Sequence, residues 1–85
     1  MINTIKKIET LITKKFSPTH LQIIDDSAKH IGHASNRGGG HFRLIIASKE
    51  FEEKKLIACH KEIYTALDEM MRHEIHALSI KIVRD

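Results

Sequence analysis

His41-Phe42-Arg43-Leu44-Ile45-Ile46-Ala47-Ser48 is the stretch on which the fold turns. Successive side chains of an extended chain point to opposite faces. Phe42, Leu44 and Ile46 therefore share one face, and Arg43, Ile45 and Ala47 the other. An alternation of this kind, preceded by three glycines, predicts a strand over 41–48.

Reading toward the N-terminus, residues 27–40 lack periodicity and hold all four glycines of the chain. They predict a loop, and a loop of that length in a small domain points to function or disorder. Before it, residues 20–26 alternate at Leu21 and Ile23 and predict an earlier strand, broken by Asp25-Asp26-Ser27. Ile2, Ile5, Ile8, Leu11, Ile12 and Phe16 recur at spacings of three and four, which predicts an amphipathic first helix. It starts near Asn3 or Thr4 and stops at Ser17-Pro18.

Reading toward the C-terminus, Phe51-Glu52-Glu53-Lys54 is expected to turn into a helical stretch marked by Leu56, Ile57, His60, Ile63, Tyr64, Leu67, Met70 and Met71. That stretch runs as one helix or breaks near Leu67-Asp68. Ile75–Val83 then alternates, with His76, Leu78, Ile80 and Ile82 assigned to the core face and Ala77, Ser79, Lys81 and Val83 to the other. The order predicts one α+β domain over residues 1–85, a three-stranded sheet with helices on one face.

Composition narrows the class. Hydrophobic residues make up 41% and charged residues 29%, the usage of a folded globular chain with an aliphatic core. The formal net charge of +3 is small, and the basic doublets at Lys6-Lys7, Lys14-Lys15 and Lys54-Lys55 interleave with apolar positions, as on solvated helix faces. One cysteine, Cys59, excludes an internal disulfide and a Cys-based metal site made by this chain alone. No basic-then-apolar leader follows Met1 and no apolar run is long enough to span a membrane, so a cytoplasmic protein is expected.

Histidine is the outlier, at seven in 85 residues. His30, His33 and His41 lie in or at the edge of the glycine loop, and neutral imidazole ligates zinc, copper and iron. Gly32, between His30 and His33, lets the backbone turn so that both rings can reach one ion. His76 opens the last strand, either as a ring packed on the helices or as a ligand nitrogen on a rigid element met by His30 or His33 from the loop. His60 reads as a partly buried helix residue, and Cys59 beside it as a structural thiol, since no activating partner stands near it in the sequence. His20 and His73 read as surface positions at element ends. Asn36-Arg37-Gly38-Gly39-Gly40 is not a nucleotide P-loop, because no Lys-Ser/Thr pair follows. Asp25-Asp26 reads as a solvated turn. No nucleophile, base and oxyanion site can be assembled, so no enzyme is expected.

Three blocks together are more specific. Asp26-Ser27-Ala28-Lys29-His30-Ile31-Gly32-His33-Ala34, His41-Phe42-Arg43-Leu44-Ile45-Ile46-Ala47-Ser48 and Ile75-His76-Ala77-Leu78-Ser79-Ile80, with Phe51 and His60-Lys61-Glu62-Ile63-Tyr64 between the last two, resemble the BolA family over nearly the whole chain. The resemblance implies an α-β-β-α-α-β fold similar to class II KH domains. It also implies a complex with a monothiol glutaredoxin of the Cys-Gly-Phe-Ser type, around a shared [2Fe-2S] cluster. The glutaredoxin and its glutathione would supply thiolates, and this chain imidazole. The family's characteristic histidine ligand falls on His76, and its loop ligand, with no Cys in the loop, on His33 or His30. A role in cluster trafficking, iron or redox regulation, or stress response follows from the resemblance.

The chain also departs from the family pattern. The usual Phe-x-Gly is Phe51-Glu52-Glu53 here, the usual Arg-His-Arg is Cys59-His60-Lys61, and the Thr-Pro that follows the last strand does not appear. These changes weaken a surface for a partner or for DNA built on His60, Lys61 and Arg43. The alternative reading is transcription regulation through nucleic acid on the KH-like fold. Against it, Gly32 and Gly38 have Ser35 and His41 three residues on, so the Gly-x-x-Gly clamp is missing. An apo homodimer is compatible with either reading.

Overall fold

The computed structural model describes residues 4–26 and 40–84. Helix α1 covers Thr4–Phe16 and buries Ile8, Ile12 and Phe16, spaced four apart on one stripe. Leu11 lies beside that stripe and is exposed. The helix ends where expected: Ser17 turns left-handed at φ 45° and Pro18 cannot extend the hydrogen-bond ladder. The Phe16 carbonyl left over at that end accepts a 2.7 Å hydrogen bond from the Ser48 hydroxyl, buried among apolar side chains.

Strand β1 covers His20–Asp25 and strand β2 Gly40–Ala47; they pair antiparallel with His20 opposite Ala47 and Asp25 opposite Phe42. Ser48 closes β2 and caps a single 3-10 turn over Lys49–Phe51 by accepting from the Glu50 amide at 3.2 Å. Phe51 is thereby turned inward onto Phe16, ring centres 4.9 Å apart. Helix α2 covers Leu56–Ala66, Leu67 breaks the helical stretch, and α3 is one turn over Asp68–Met71. Strand β3, Ile75–Ile82, returns parallel to β2, completing a sheet in the order β1-β2-β3. A parallel pair needs a crossover, and α2 and α3 provide it.

All helices pack on one face of the sheet, where Phe42, Leu44, Ile46, Ile75 and Leu78 meet Ile8, Ile12, Phe16, Cys59, Ile63, Leu67 and Met70 in one core. The α+β fold read from the sequence is present in that order. Two assignments need correction. On α2 the buried positions are Cys59 and Ile63, continued by Leu67 and Met70, whereas Leu56 and Ile57 are 55% and 66% exposed. Ile63, Leu67 and Met70 are inward as expected, while in the first turn Cys59 takes the core place expected of Leu56 and Ile57. On β3 the core face begins with Ile75, 1% exposed, and His76 is exposed rather than inward. The pairing explains this second shift. Ile75 pairs with Gly40 and Ala77 with His41, so two steps along β3 match one step along β2. His76 is the extra residue of a β-bulge, which restores the expected alternation only from Leu78 onward.

Candidate metal-binding site

Bulges re-aim side chains, and this one does so for the histidine singled out by the sequence. His76 leaves the core row and comes to His41, the ring centres 5.1 Å apart and the planes tilted by 52°. His41 occupies the second position of β2, between inward Phe42 and the bulge partner Gly40, and is half-buried. The two rings thus meet at the end of the sheet where β2 begins. A shallow recess of about 220 Å³ adjoins His41, lined also by Asp26, Phe42, Ala77, Leu78 and Ser79.

The backbone beneath the pair is tied down from several sides. The Asp26 amide donates to the His41 carbonyl at 2.7 Å, extending the β1–β2 ladder by one residue. The Asp26 carboxylate receives Arg43 at 3.1 Å. The Gly40 amide donates to the Glu74 carbonyl at 2.9 Å, which locks the start of β2 to the turn just before β3. The Glu74 carboxylate accepts a hydrogen bond from Lys7 on α1, and that bond holds its carboxyl below the usual carboxylate range. On the outer edge of β3, the Tyr64 hydroxyl of α2 donates to the Leu78 carbonyl at 3.0 Å. His76 therefore projects from a rigid element, although its own ring is exposed.

The remaining sequence-selected residues scatter. His30 and His33 lie outside the described residues. His60, half-buried, and exposed Lys61 stand on α2 in the helix layer, whereas Arg43 lies on the opposite face of the sheet and is engaged with Asp26. The fold does not bring these three into one surface. His20 and His73 are exposed, as expected for element ends. Cys59 is wholly buried; its thiol donates weakly to the Phe51 carbonyl at 3.8 Å, and Arg84 reaches its sulfur at 3.5 Å. A thiol with no solvent access is structural. Sequence reasoning did not place His41 beside His76, because that adjacency comes from the pairing of β2 with β3 across 35 residues.

Chemically, two imidazoles side by side suit a borderline transition metal or an iron centre. Among the described residues, no group of three or more His, Cys, Asp and Glu could hold a metal ion. Two imidazoles alone leave a metal ion short of the three or four protein ligands it ordinarily takes.

Comparison with known proteins addresses the family and the fold. Residues 12–84 match the family model described as BolA-like protein. The chain belongs to the BolA-like family. Among BolA-like relatives, the DNA-binding transcriptional regulator BolA of Haemophilus influenzae is 35% identical over 75 residues, covering 88% of this chain and 71% of that protein. SufE-like protein 1 of Arabidopsis thaliana is 36% identical over 80 residues, covering 87% of this chain but only 22% of its own length. Here the BolA-like unit corresponds to a small part of a longer relative. The solved structure of BolA1 from Arabidopsis thaliana superposes with a TM-score of 0.83 at 33% identity, covering 96% of this chain and 92% of that one. Among the described residues of this BolA-like chain, no helix is long and apolar enough to cross a membrane.

Proposed function

We propose that this BolA-like chain is a non-catalytic ligand donor that joins a monothiol glutaredoxin and its glutathione around a shared [2Fe-2S] cluster, with His76 as one iron ligand. The observation that carries the reading is the exposed imidazole of His76, lifted out of the core row by a bulge on a strand otherwise fixed by Tyr64 and by the Glu74–Gly40 bond. A ligand for a cluster that arrives with a partner must be both accessible and pre-oriented, and this residue is both. The donor set also fits: neutral imidazole binds iron, and histidine in place of cysteine raises a cluster's potential, which suits sensing or controlled transfer. His33 or His30 is the second ligand in this proposal.

The test is anaerobic cluster reconstitution with a Cys-Gly-Phe-Ser glutaredoxin and glutathione, followed by visible absorption and circular dichroism. The expected result is a spectrum distinct from that of the glutaredoxin alone and altered or lost in His76→Ala, with His30→Ala and His33→Ala identifying the loop ligand. Identical spectra for wild type, His76→Ala and glutaredoxin alone would sink the proposal.

A second reading, a DNA-binding regulator, is favoured by the name of the Haemophilus influenzae relative. Support from this chain is thinner, since the net charge is only +3 and Arg43 is engaged by Asp26 on the face away from His60 and Lys61. It requires DNA affinity that falls steeply with salt.

A further inference from the structure

We propose that the outer face of α1 is a docking surface for an acidic amphipathic helix of a partner protein. Its carboxylates meet Lys14 and Lys15 while one of its apolar side chains packs on Leu11. The distribution of charge is the first observation. Helix α1 holds Lys6, Lys7, Lys14 and Lys15 against a single acid, Glu9. Of the 14 basic and 11 acidic side chains of the chain, those outside α1 therefore number ten of each. The net charge of +3 belongs to this one helix.

The fold neutralises half of that charge and leaves the other half. Lys6 pairs with Glu9 at 3.3 Å and Lys7 pairs with Glu74. Lys14 and Lys15, both exposed, meet no acidic side chain among the described residues. Their place in the last turn complements the helix dipole, which accounts for basic residues there but not for the relief beside them. Leu11 is 39% exposed, a large apolar side chain of α1 that the core leaves out. It is the shared wall of two recesses. One, of about 370 Å³, continues along Lys14, Lys15, Thr65 and Ala66, and the other, of about 280 Å³, along Lys6, Lys7 and Thr10. Lys7, Leu11, Lys14 and Lys15 lie on one stripe, spanning about 12 Å of helix axis.

An apolar centre with unpaired cations at its rim selects the chemistry of the occupant. Charge complementarity calls for carboxylates flanking an apolar residue. The backbone of α1 is paired within the helix and offers no ladder to an extended strand, so a helix, which satisfies its own backbone, is the form that fits. A membrane surface fits less well, because insertion takes a broad apolar face and α1 spends Ile8, Ile12 and Phe16 on the core. Nucleic acid fits less well too, since α1 exposes no aromatic side chain for stacking and its unpaired cations number only two. The surface is separate from the paired histidines. Helix α1 runs from Lys7, held by Glu74 before β3, to Phe16, held by Ser48 after β2. Lys14 and Lys15 thus stand toward the opposite end of the sheet from His41 and His76, and docking there needs neither the cluster nor its ligands.

The experiment selects binders of the full chain from a displayed library of helical peptides and titrates them against it by NMR of the backbone amides. The expected peptides carry Asp or Glu on both sides of an apolar residue, and shift the amides of α1 together with Thr65 and Ala66. Lys14→Glu/Lys15→Glu should weaken binding about tenfold or more, and a peptide with Lys in place of its acids should recover it. Leu11→Ser should weaken binding several-fold, whereas Lys81→Glu, on the sheet face away from the helices, should leave it unchanged. All four positions are exposed, so unchanged amide dispersion is expected in each variant. Selected peptides without an acidic pattern overturn the proposal, as does binding that survives Lys14→Glu/Lys15→Glu. Duplex DNA or phosphatidylserine vesicles that displace the acidic peptide from α1 at lower concentration than the peptide itself also overturn it, and assign the face to that other polyanion. Because glutaredoxin and glutathione are left out, docking can fail with the cluster reading intact, and the reverse.

Discussion

The hydroxyl of Tyr64 on α2 donates a 3.0 Å hydrogen bond to the carbonyl of Leu78, on the side of β3 that faces away from β2. An edge strand presents unpaired backbone groups, and this bond satisfies one of them two residues beyond His76. Tyr64→Phe keeps the ring and removes only the donor. It should lower stability by about 1 kcal/mol, read as a shift of the urea midpoint at unchanged slope. A variant as stable as wild type would mean that water replaces the hydroxyl without loss.

Ser48 joins three elements, since its hydroxyl donates to Phe16 at the end of α1 and accepts from Glu50 in the 3-10 turn after β2. Ser48→Ala leaves a buried carbonyl without its donor and removes the cap. The expected cost is about 1–3 kcal/mol. Ser48→Thr, which keeps the hydroxyl, should recover part of it.

Cys59 lies at 0% exposure between Phe51 and Ile63 in the core. Its thiol should resist alkylation in the native chain and react fully in denaturant, so labelling should track global unfolding. Rapid native labelling would show that α2 opens locally.

The Lys7–Glu74 pair couples the turn before β3 to α1, and its effect on stability has a definite sign. Glu74 has its carboxyl held below the ordinary value of 4.5 by the Lys7 hydrogen bond, opposed by partial desolvation. A depressed carboxyl stabilises the fold above that ordinary value, and the contribution fades as the pH falls through the lowered one. Glu74→Gln should therefore lose stability near neutrality and show a flatter acid limb in denaturation measured from neutral to strongly acid pH. Both partners are partly exposed, so added salt should shrink the difference.

Most of the fold could be read from residue order, and the exceptions have identifiable causes. The alternation of β2 survives because the strand is central: Phe42, Leu44 and Ile46 are held inward by partners on both sides. His76 leaves the face that alternation gives it because a bulge depends on how β3 meets β2, which no local pattern encodes. Leu56 and Ile57 misled because apolar residues in a first helical turn look like core, although here they are exposed. Paired substitutions test this phase directly. Ile63→Ala should cost about 2–5 kcal/mol, whereas Ile57→Ser should stay within about 0.5 kcal/mol of wild type. For the candidate site, the sequence pointed to His76 as a residue but not to its neighbour, because adjacency across 35 positions is a property of the completed sheet.

The bulge at His76 also bears on when the site exists. Its two imidazoles come together only after the crossover has folded and the last strand has docked, the step with the largest sequence separation in the sheet. An unfinished chain has the same histidines without the pair. Anything that binds both rings therefore draws its free energy from the native state alone, and must raise the melting temperature in proportion to the logarithm of its concentration. For any such ligand, occupancy would gauge whether the third strand is in place.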